Sequence, residues 1–276
     1  MELGQRIRAA IEVTRPSNSI AAGVLTFVGT FVAGDPISVT SAVAVVATIL
    51  ATGAGMAIND YVDRDIDRIN RPGRPIPRGA ISAQWVLFEA IVLFTIAVAL
   101  ALTLPPLAIA IAGINLGALV TYTSLFKGTP GVGNVVVAAL SGSTFLFGGA
   151  AVGAPGPTAV LFVLAAFATL GREVIKDIED IDGDRAAGLD TLPIRFGPRR
   201  ARWVASAALL VATAASPLPV VLDLFGLAYV AVVVPAIAIM LYGLWVSETT
   251  PGQGQRLIKI GMYVAILAFV VGRLTV

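Results

Sequence analysis

Asp60, Asp63 and Asp67 lie at i, i+3 and i+7 in the run Asn59-Asp60-Tyr61-Val62-Asp63-Arg64-Asp65-Ile66-Asp67. That spacing predicts three carboxylates on one helical face, with Asn59 one turn from Asp63. Asp177, Asp180 and Asp184 repeat it. At an offset of 117 residues, Asp60, Asp63, Asp65, Asp67, Arg68 and Arg78 fall on Asp177, Asp180, Asp182, Asp184, Arg185 and Arg195. Six charged identities at one offset point to an internal duplication. Carboxylates grouped at the end of an apolar helix repel one another and call for cations. Those cations are either the interspersed arginines or divalent ions. Mg²⁺ takes one or two carboxylates, keeps several waters and shares the oxygens of a phosphate-bearing ligand, so two facing carboxylate rows suit a diphosphate bridged by Mg²⁺. One Asp/Arg-rich loop alone would read as a solvated connection between membrane helices; its repetition argues against that.

Further cations lie between the rows. Arg71, Arg74 and Arg78 sit in the loop Asn70-Arg71-Pro72-Gly73-Arg74-Pro75-Ile76-Pro77-Arg78-Gly79, which its prolines stiffen, so phosphate oxygens could be bound there at little ordering cost. Lys127, close after Tyr122, is either a second phosphate ligand or an anchor at the membrane interface. Arg15-Pro16-Ser17-Asn18 suits a helix start, with Asn18 one turn inside. Arg172 and Lys176 immediately precede the second row.

The elements that must position these residues follow from composition. The chain has 276 residues, 57% hydrophobic and 13% charged, with a mean hydropathy of +0.88. Too little polar surface is available for a soluble domain, and the class expected is all-α and polytopic, as a single domain over 1–276. Without cysteine or histidine, thiol nucleophiles, imidazole bases and the usual zinc sites are excluded. A net charge of +2 gives no argument for nucleic acid. The first apolar run has no convincing cleavage site, so no cleavable signal peptide is expected. Apolar runs and Gly/Pro breaks predict nine spans near 17–34, 40–61, 83–103, 106–126, 132–153, 157–176, 201–221, 225–246 and 257–275. With that alternation 18 of the 19 cations fall on one face, Arg273 alone being left over. By the positive-inside rule that face, the N-terminus and the acid rows are cytoplasmic, and the C-terminus is outside. The rows stand four spans apart, as duplication of a four-helix unit would produce.

Asn59–Asp67 matches the N-D-x-x-D-x-x-x-D signature, Asp180–Asp184 the downstream D-x-x-x-D, and Asn70–Gly79 the accompanying Arg/Pro loop of the UbiA superfamily of intramembrane prenyltransferases, which this chain resembles. The resemblance implies nine helices around a central cavity open laterally to lipid, a cell-membrane location, and two Mg²⁺ ions holding an isoprenyl diphosphate. By that implication Asn59, Asp60, Asp63 and Asp67 serve one metal and Asp177, Asp180 and Asp184 the other, with Asp63, Asp67, Asp180 and Asp184 catalytic. Arg15, Asn18, Arg71, Arg74, Arg78, Tyr122, Lys127, Arg172 and Lys176 would bind substrate. One departure is the spacing of Tyr122 and Lys127, five apart where the family often has Y-x-x-x-K. The segment Arg172–Asp184 looks most like the branch that forms the second ether bond of archaeal lipids, which implies geranylgeranyl diphosphate as donor and geranylgeranylglyceryl phosphate as acceptor. An aromatic or quinone-precursor acceptor is the alternative. Two other classes compete. A secondary transporter would place ionisable groups near mid-bilayer, where Glu89 is the main candidate. A CDP-alcohol phosphotransferase would need D-G-x-x-A-R, whereas Asp182-Gly183 is followed here by Asp184-Arg185-Ala186-Ala187.

Overall fold

The computed structural model describes residues 3–122 and 128–276, and within them every regular element is helical. In chain order these are α1 (Leu3–Val13), α2 (Pro16–Val32), α3 (Val39–Val62), α4 (Arg64–Asn70), α5 (Ala83–Ala101), α6 (Pro106–Thr121) and α7 (Val132–Ala151). There follow α8 (Pro155–Glu179), α9 (Ile181–Ala186), α10 (Leu192–Phe196), α11 (Pro198–Ala215), α12 (Leu218–Val221), α13 (Ala228–Val246) and α14 (Pro251–Arg273). Prolines open α2, α6, α8, α11 and α14, where the missing N–H costs nothing. Ser38 and Ser82 cap α3 and α5 by accepting from the N–H groups of Ser41 and Trp85.

Among the described residues, seven segments are long and apolar enough to cross a bilayer: α3, α5, α7, α8, α11 with α12, α13 and α14. The two remaining expected spans correspond to α2 and α6, apolar helices of only 17 and 16 residues. Arg15-Pro16 and Gly34-Asp35-Pro36, polar and helix-breaking, bound the first, and Pro105-Pro106 opens the second, whose described part runs to Tyr122. The last helix begins at Pro251 rather than near 257, and the expected connection 62–82 contains α4.

Small residues set the packing. A Cβ on Gly148 would stand 2.2 Å from the Thr26 carbonyl oxygen and one on Gly29 2.4 Å from that of Phe145, so α2 and α7 meet backbone to backbone. The broad contact of α13 with α14 is similar, Gly261 facing the Ala236 carbonyl. One core gathers Val28, Phe145, Leu161, Tyr229 and Phe269; another, Ala9, Val13, Ala57, Val86 and Ala90, seats α1 against α3 and α5. Ile91, Ile114, Leu210, Val234 and Leu267 point outward and stay exposed, as lipid-facing residues do.

The acid rows do not lie on uninterrupted helices as the spacing predicted. Asp63 (φ −82°, ψ 1°) ends α3 and opens α4, and Asp180 (φ −92°, ψ 5°) likewise joins α8 to α9. A ψ near zero bends the chain there while the ladder continues. Asp63 and Asp67 donate their N–H groups to the Asn59 and Asp63 carbonyls at 2.9 and 2.8 Å, and Asp180 and Asp184 to those of Lys176 and Asp180 at 3.0 and 2.8 Å.

Candidate active site

The first row is held by guanidinium groups. Arg15, between α1 and α2, adopts a left-handed backbone (φ 46°, ψ 69°), uncommon for a residue with a Cβ. Its Nη2 donates to Asp60 Oδ1 at 2.5 Å and its Nη1 to Met56 Sδ at 3.6 Å. Arg74 Nη1 donates to Asp60 Oδ1 at 3.2 Å and also to Asp67 Oδ2. Asp60 and Asp67 are 4% and 5% exposed, so these charge-assisted bonds offset the cost of burying their carboxylates. Asp63 and Asn59 are half-buried beside them.

The proline loop aims Arg74 inward and leaves Arg71 and Arg78 exposed. Arg78 instead forks onto Glu12, Nη1 to Oε1 at 2.9 Å and Nη2 to Oε2 at 2.7 Å, with Nη1 also donating to the Gly73 carbonyl at 2.7 Å. The hydrogen bond from Arg78 holds the Glu12 carboxyl below its ordinary pKa despite some burial. Arg78 thus ties α1 to the loop, and the structure puts it on α1 rather than on the acid row. Asn18 is exposed in the first turn of α2, its N–H donating to the Arg15 carbonyl at 2.9 Å.

The second row is held differently. Asp177 Oδ2 accepts from Asn134 Nδ2 of α7 at 2.7 Å. Asp180 faces the Lys176 ammonium at 4.0 Å, which is equally far from Glu173. Arg172 pairs with Glu173, and its Nη2 donates to Gln255 Oε1 at 3.1 Å, joining α8 to α14. Burial and then the Asp180 charge push the Asp184 pKa up, against Lys176 and the Thr191 hydroxyl.

Tyr122 stands half-buried at the C-terminal end of α6. Lys127 lies outside the described residues. Asn134, Glu173, Gln255 and Glu12 escaped the sequence reading. A lone amide inside an apolar run marks Asn134, and Glu173 stands one turn before Asp177; Gln255 and Glu12 carry no such local signal.

Among the described residues no three acidic side chains gather closely enough to enclose an ion. Mg²⁺ needs only one or two carboxylates when phosphate oxygens and water complete its shell. The rows offer the hard oxygen donors for that, and the repulsion between Asp180 and Asp184 is one a cation would relieve. The donor set therefore fits Mg²⁺ shared with a diphosphate.

The sequence pattern of the UbiA prenyltransferase family matches residues 22–267. This chain belongs to that family. Digeranylgeranylglyceryl phosphate synthase of Natronomonas pharaonis is 58% identical over 274 residues, covering 99% of each chain. A solved structure, described as giving structural and mechanistic insights into the biosynthesis of digeranylgeranylglyceryl phosphate synthase in membranes, superimposes with a TM-score of 0.85 at 30% identity, over 98% of this chain and 99% of that one. A UbiA homologue from Archaeoglobus fulgidus bound to GPP and Mg²⁺ shares the fold at a TM-score of 0.72 and 20% identity, over 97% of this chain and 99% of that one. UbiA membership gives the chain a prenyltransferase activity, and neither the transporter nor the phosphotransferase class is retained.

Proposed function

We propose that this UbiA member transfers a geranylgeranyl group from its diphosphate to the free hydroxyl of geranylgeranylglyceryl phosphate, in a Mg²⁺-dependent reaction at the cytoplasmic face of the membrane. The observation that carries the reaction is the recurrence of the Asp60, Asp63, Asp67 spacing at Asp177, Asp180 and Asp184, each row at the junction of a long helix with a short one, in a chain of the UbiA family. The choice of acceptor rests on likeness to the Natronomonas pharaonis synthase.

Asn59, Asp60, Asp63 and Asp67 would hold one ion, and Asp177, Asp180 and Asp184 a second. Bound Mg²⁺ supplies positive charge to the oxygens of the departing diphosphate, the type of electrostatic stabilisation that often dominates catalysis. Arg71, Arg74, Lys127 and Lys176 add cationic donors for the two phosphate-bearing substrates, Arg15 and Arg172 keep their rows in place, and Asn18 is a further polar contact for substrate. Arg78 acts indirectly, by fastening the Arg74 loop to α1. The allylic C–O bond breaks with its electron pair leaving on the diphosphate, the acceptor oxygen forms the new ether bond, and the hydroxyl proton is released. Apolar helix walls within the membrane would sheath the prenyl chain and keep water from the allylic cation.

With α2 and α6 counted as short crossings the chain spans the membrane nine times, N-terminus inside and C-terminus outside. Trp85, Trp203 and Trp245, 55%, 69% and 65% exposed, sit at the helix ends that carry the cations, which supports an interface there. The order α2 to α6 is echoed by α7 to α13: in each, the second long helix ends in an acid bend and a short helix, in keeping with a duplicated four-helix unit.

The test is mass spectrometry of products when purified protein receives geranylgeranyl diphosphate with a panel of geranylgeranylglyceryl phosphate, 4-hydroxybenzoate and a quinol acid. The glyceryl phosphate alone should gain a geranylgeranyl group. Prenylation of an aromatic acceptor instead would replace the proposed acceptor, and no prenylation of any would refute the activity.

A further inference from the structure

The 117-residue offset relates the acid rows, yet their counter-charges differ. Asp60 and Asp67 share the Arg74 guanidinium, and Arg15 stands 2.5 Å from Asp60. The counterpart of Arg74 at that offset is Thr191, and the counterpart of Asp60 is Asp177, which accepts from the neutral amide of Asn134 at 2.7 Å. Among the described residues, the cation facing the second row is Lys176, 4.0 Å from Asp180, with side chains 43% and 44% exposed. A pair that open to solvent is weak. Among the described residues, the first row thus meets two guanidinium groups at the buried carboxylates of Asp60 and Asp67, and the second meets a solvated ammonium.

We infer that the rows load in order: the second takes a divalent cation directly from solution, whereas the first becomes a cation site only after a diphosphate draws the Arg74 guanidinium away from Asp60 and Asp67. This rests on the two-row function proposed above. A cation entering the first row must otherwise share a poorly screened space with a guanidinium already bonded to both carboxylates. A diphosphate removes that conflict, because its oxygens accept the same forked donors as a carboxylate does. Arg74 then exchanges one anion for another and is never left uncompensated, while the freed carboxylates gain a cation in its place. The complete centre would assemble only around bound donor, which makes Arg74 a positioning residue for the first cation as well as a phosphate ligand.

Equilibrium dialysis of the full-length protein in detergent against Mn²⁺, with and without inorganic diphosphate, counts the ions bound. Wild type should hold one ion per chain without diphosphate and two with it. Asp180→Asn should lose the diphosphate-independent ion and Asp67→Asn should keep it. Arg74→Gln should bind two ions without diphosphate. Two ions, or none, on wild type without diphosphate would overturn the order, as would an Asp67→Asn protein that loses the first ion. A folded Arg74→Gln protein that still binds only one would also overturn it. Absence of any bound ion even with diphosphate would instead remove the two-row function itself. The two aspartate variants decide the question if Arg74→Gln does not fold.

Discussion

At the scale of single residues, carboxylates of one motif have different physical tasks. Asp60 is buried between Arg15 and Arg74, whereas Asp63 and Asp180 occupy the bends and are half-buried. Replacing Asp60 by alanine leaves two cations short of a partner, and we expect it to destabilise the fold by about 3 kcal/mol, the lower end for a broken buried pair because both arginines keep some solvent. Thermal unfolding in detergent measures this. Asp63→Ala and Asp180→Ala should instead unfold near the wild-type temperature and lose turnover by at least about a hundredfold, since a metal clamp on phosphoryl oxygens is worth several kcal/mol. Activity within about tenfold of wild type in either would remove that carboxylate from the metal centre. The acid residues were legible because their spacing recurs. The partners of Asp60 were not, since nothing in the linear order says which of many arginines folds back on it.

At the scale of elements, close packing and one surface fork make separable predictions. Gly148 has no room for a methyl group beside the Thr26 carbonyl, and backbone cannot yield as a side-chain tip does. Gly148→Ala should therefore cost about 1–3 kcal/mol as an overpacked contact, read as a lower unfolding temperature. The Glu12–Arg78 fork fastens α1, and Arg78 holds the Glu12 pKa below its unfolded value. A depressed carboxyl pKa contributes stability above the unfolded pKa and loses it as pH falls through the folded one. Amide exchange in α1 should thus quicken, relative to the long helices, as the pH drops below the ordinary glutamate range, and Glu12→Gln should remove that dependence. Exchange unchanged by pH in the wild type would detach α1 from this pair. The helices themselves were largely visible in apolar runs and prolines. The bends at Asp63 and Asp180 were hidden because the i, i+3, i+7 pattern is the same for a straight helix and for one that turns at ψ near zero.

At the scale of the whole molecule, the proposed nine-span alternation would bring the cations, the exposed tryptophans and the acid rows to one face. Chelation by EDTA should abolish turnover and added Mg²⁺ restore it; a rate indifferent to EDTA would leave diphosphate binding to the arginines alone. The absence of cysteine makes the orientation directly measurable. A cysteine at Glu248 should react with an impermeant maleimide only from the cytoplasmic side, and one at Asp223 only from the opposite side. Labelling of both from one side would break the proposed alternation.

By itself the sequence determined the class, the placement of nearly every apolar helix and the shared spacing of the two acid rows, because hydropathy, proline placement and residue spacing are local properties that survive without a fold. Only the tertiary structure decided that α2 meets α7 through bare glycines, that Arg78 serves α1 while Arg74 bridges two aspartates, and that an amide holds the second row where guanidinium groups hold the first. Those outcomes depend on which distant side chains share a small, poorly hydrated volume. That is a property of packing, to which positions as far apart as Arg15 and Asp60 or Asn134 and Asp177 contribute together.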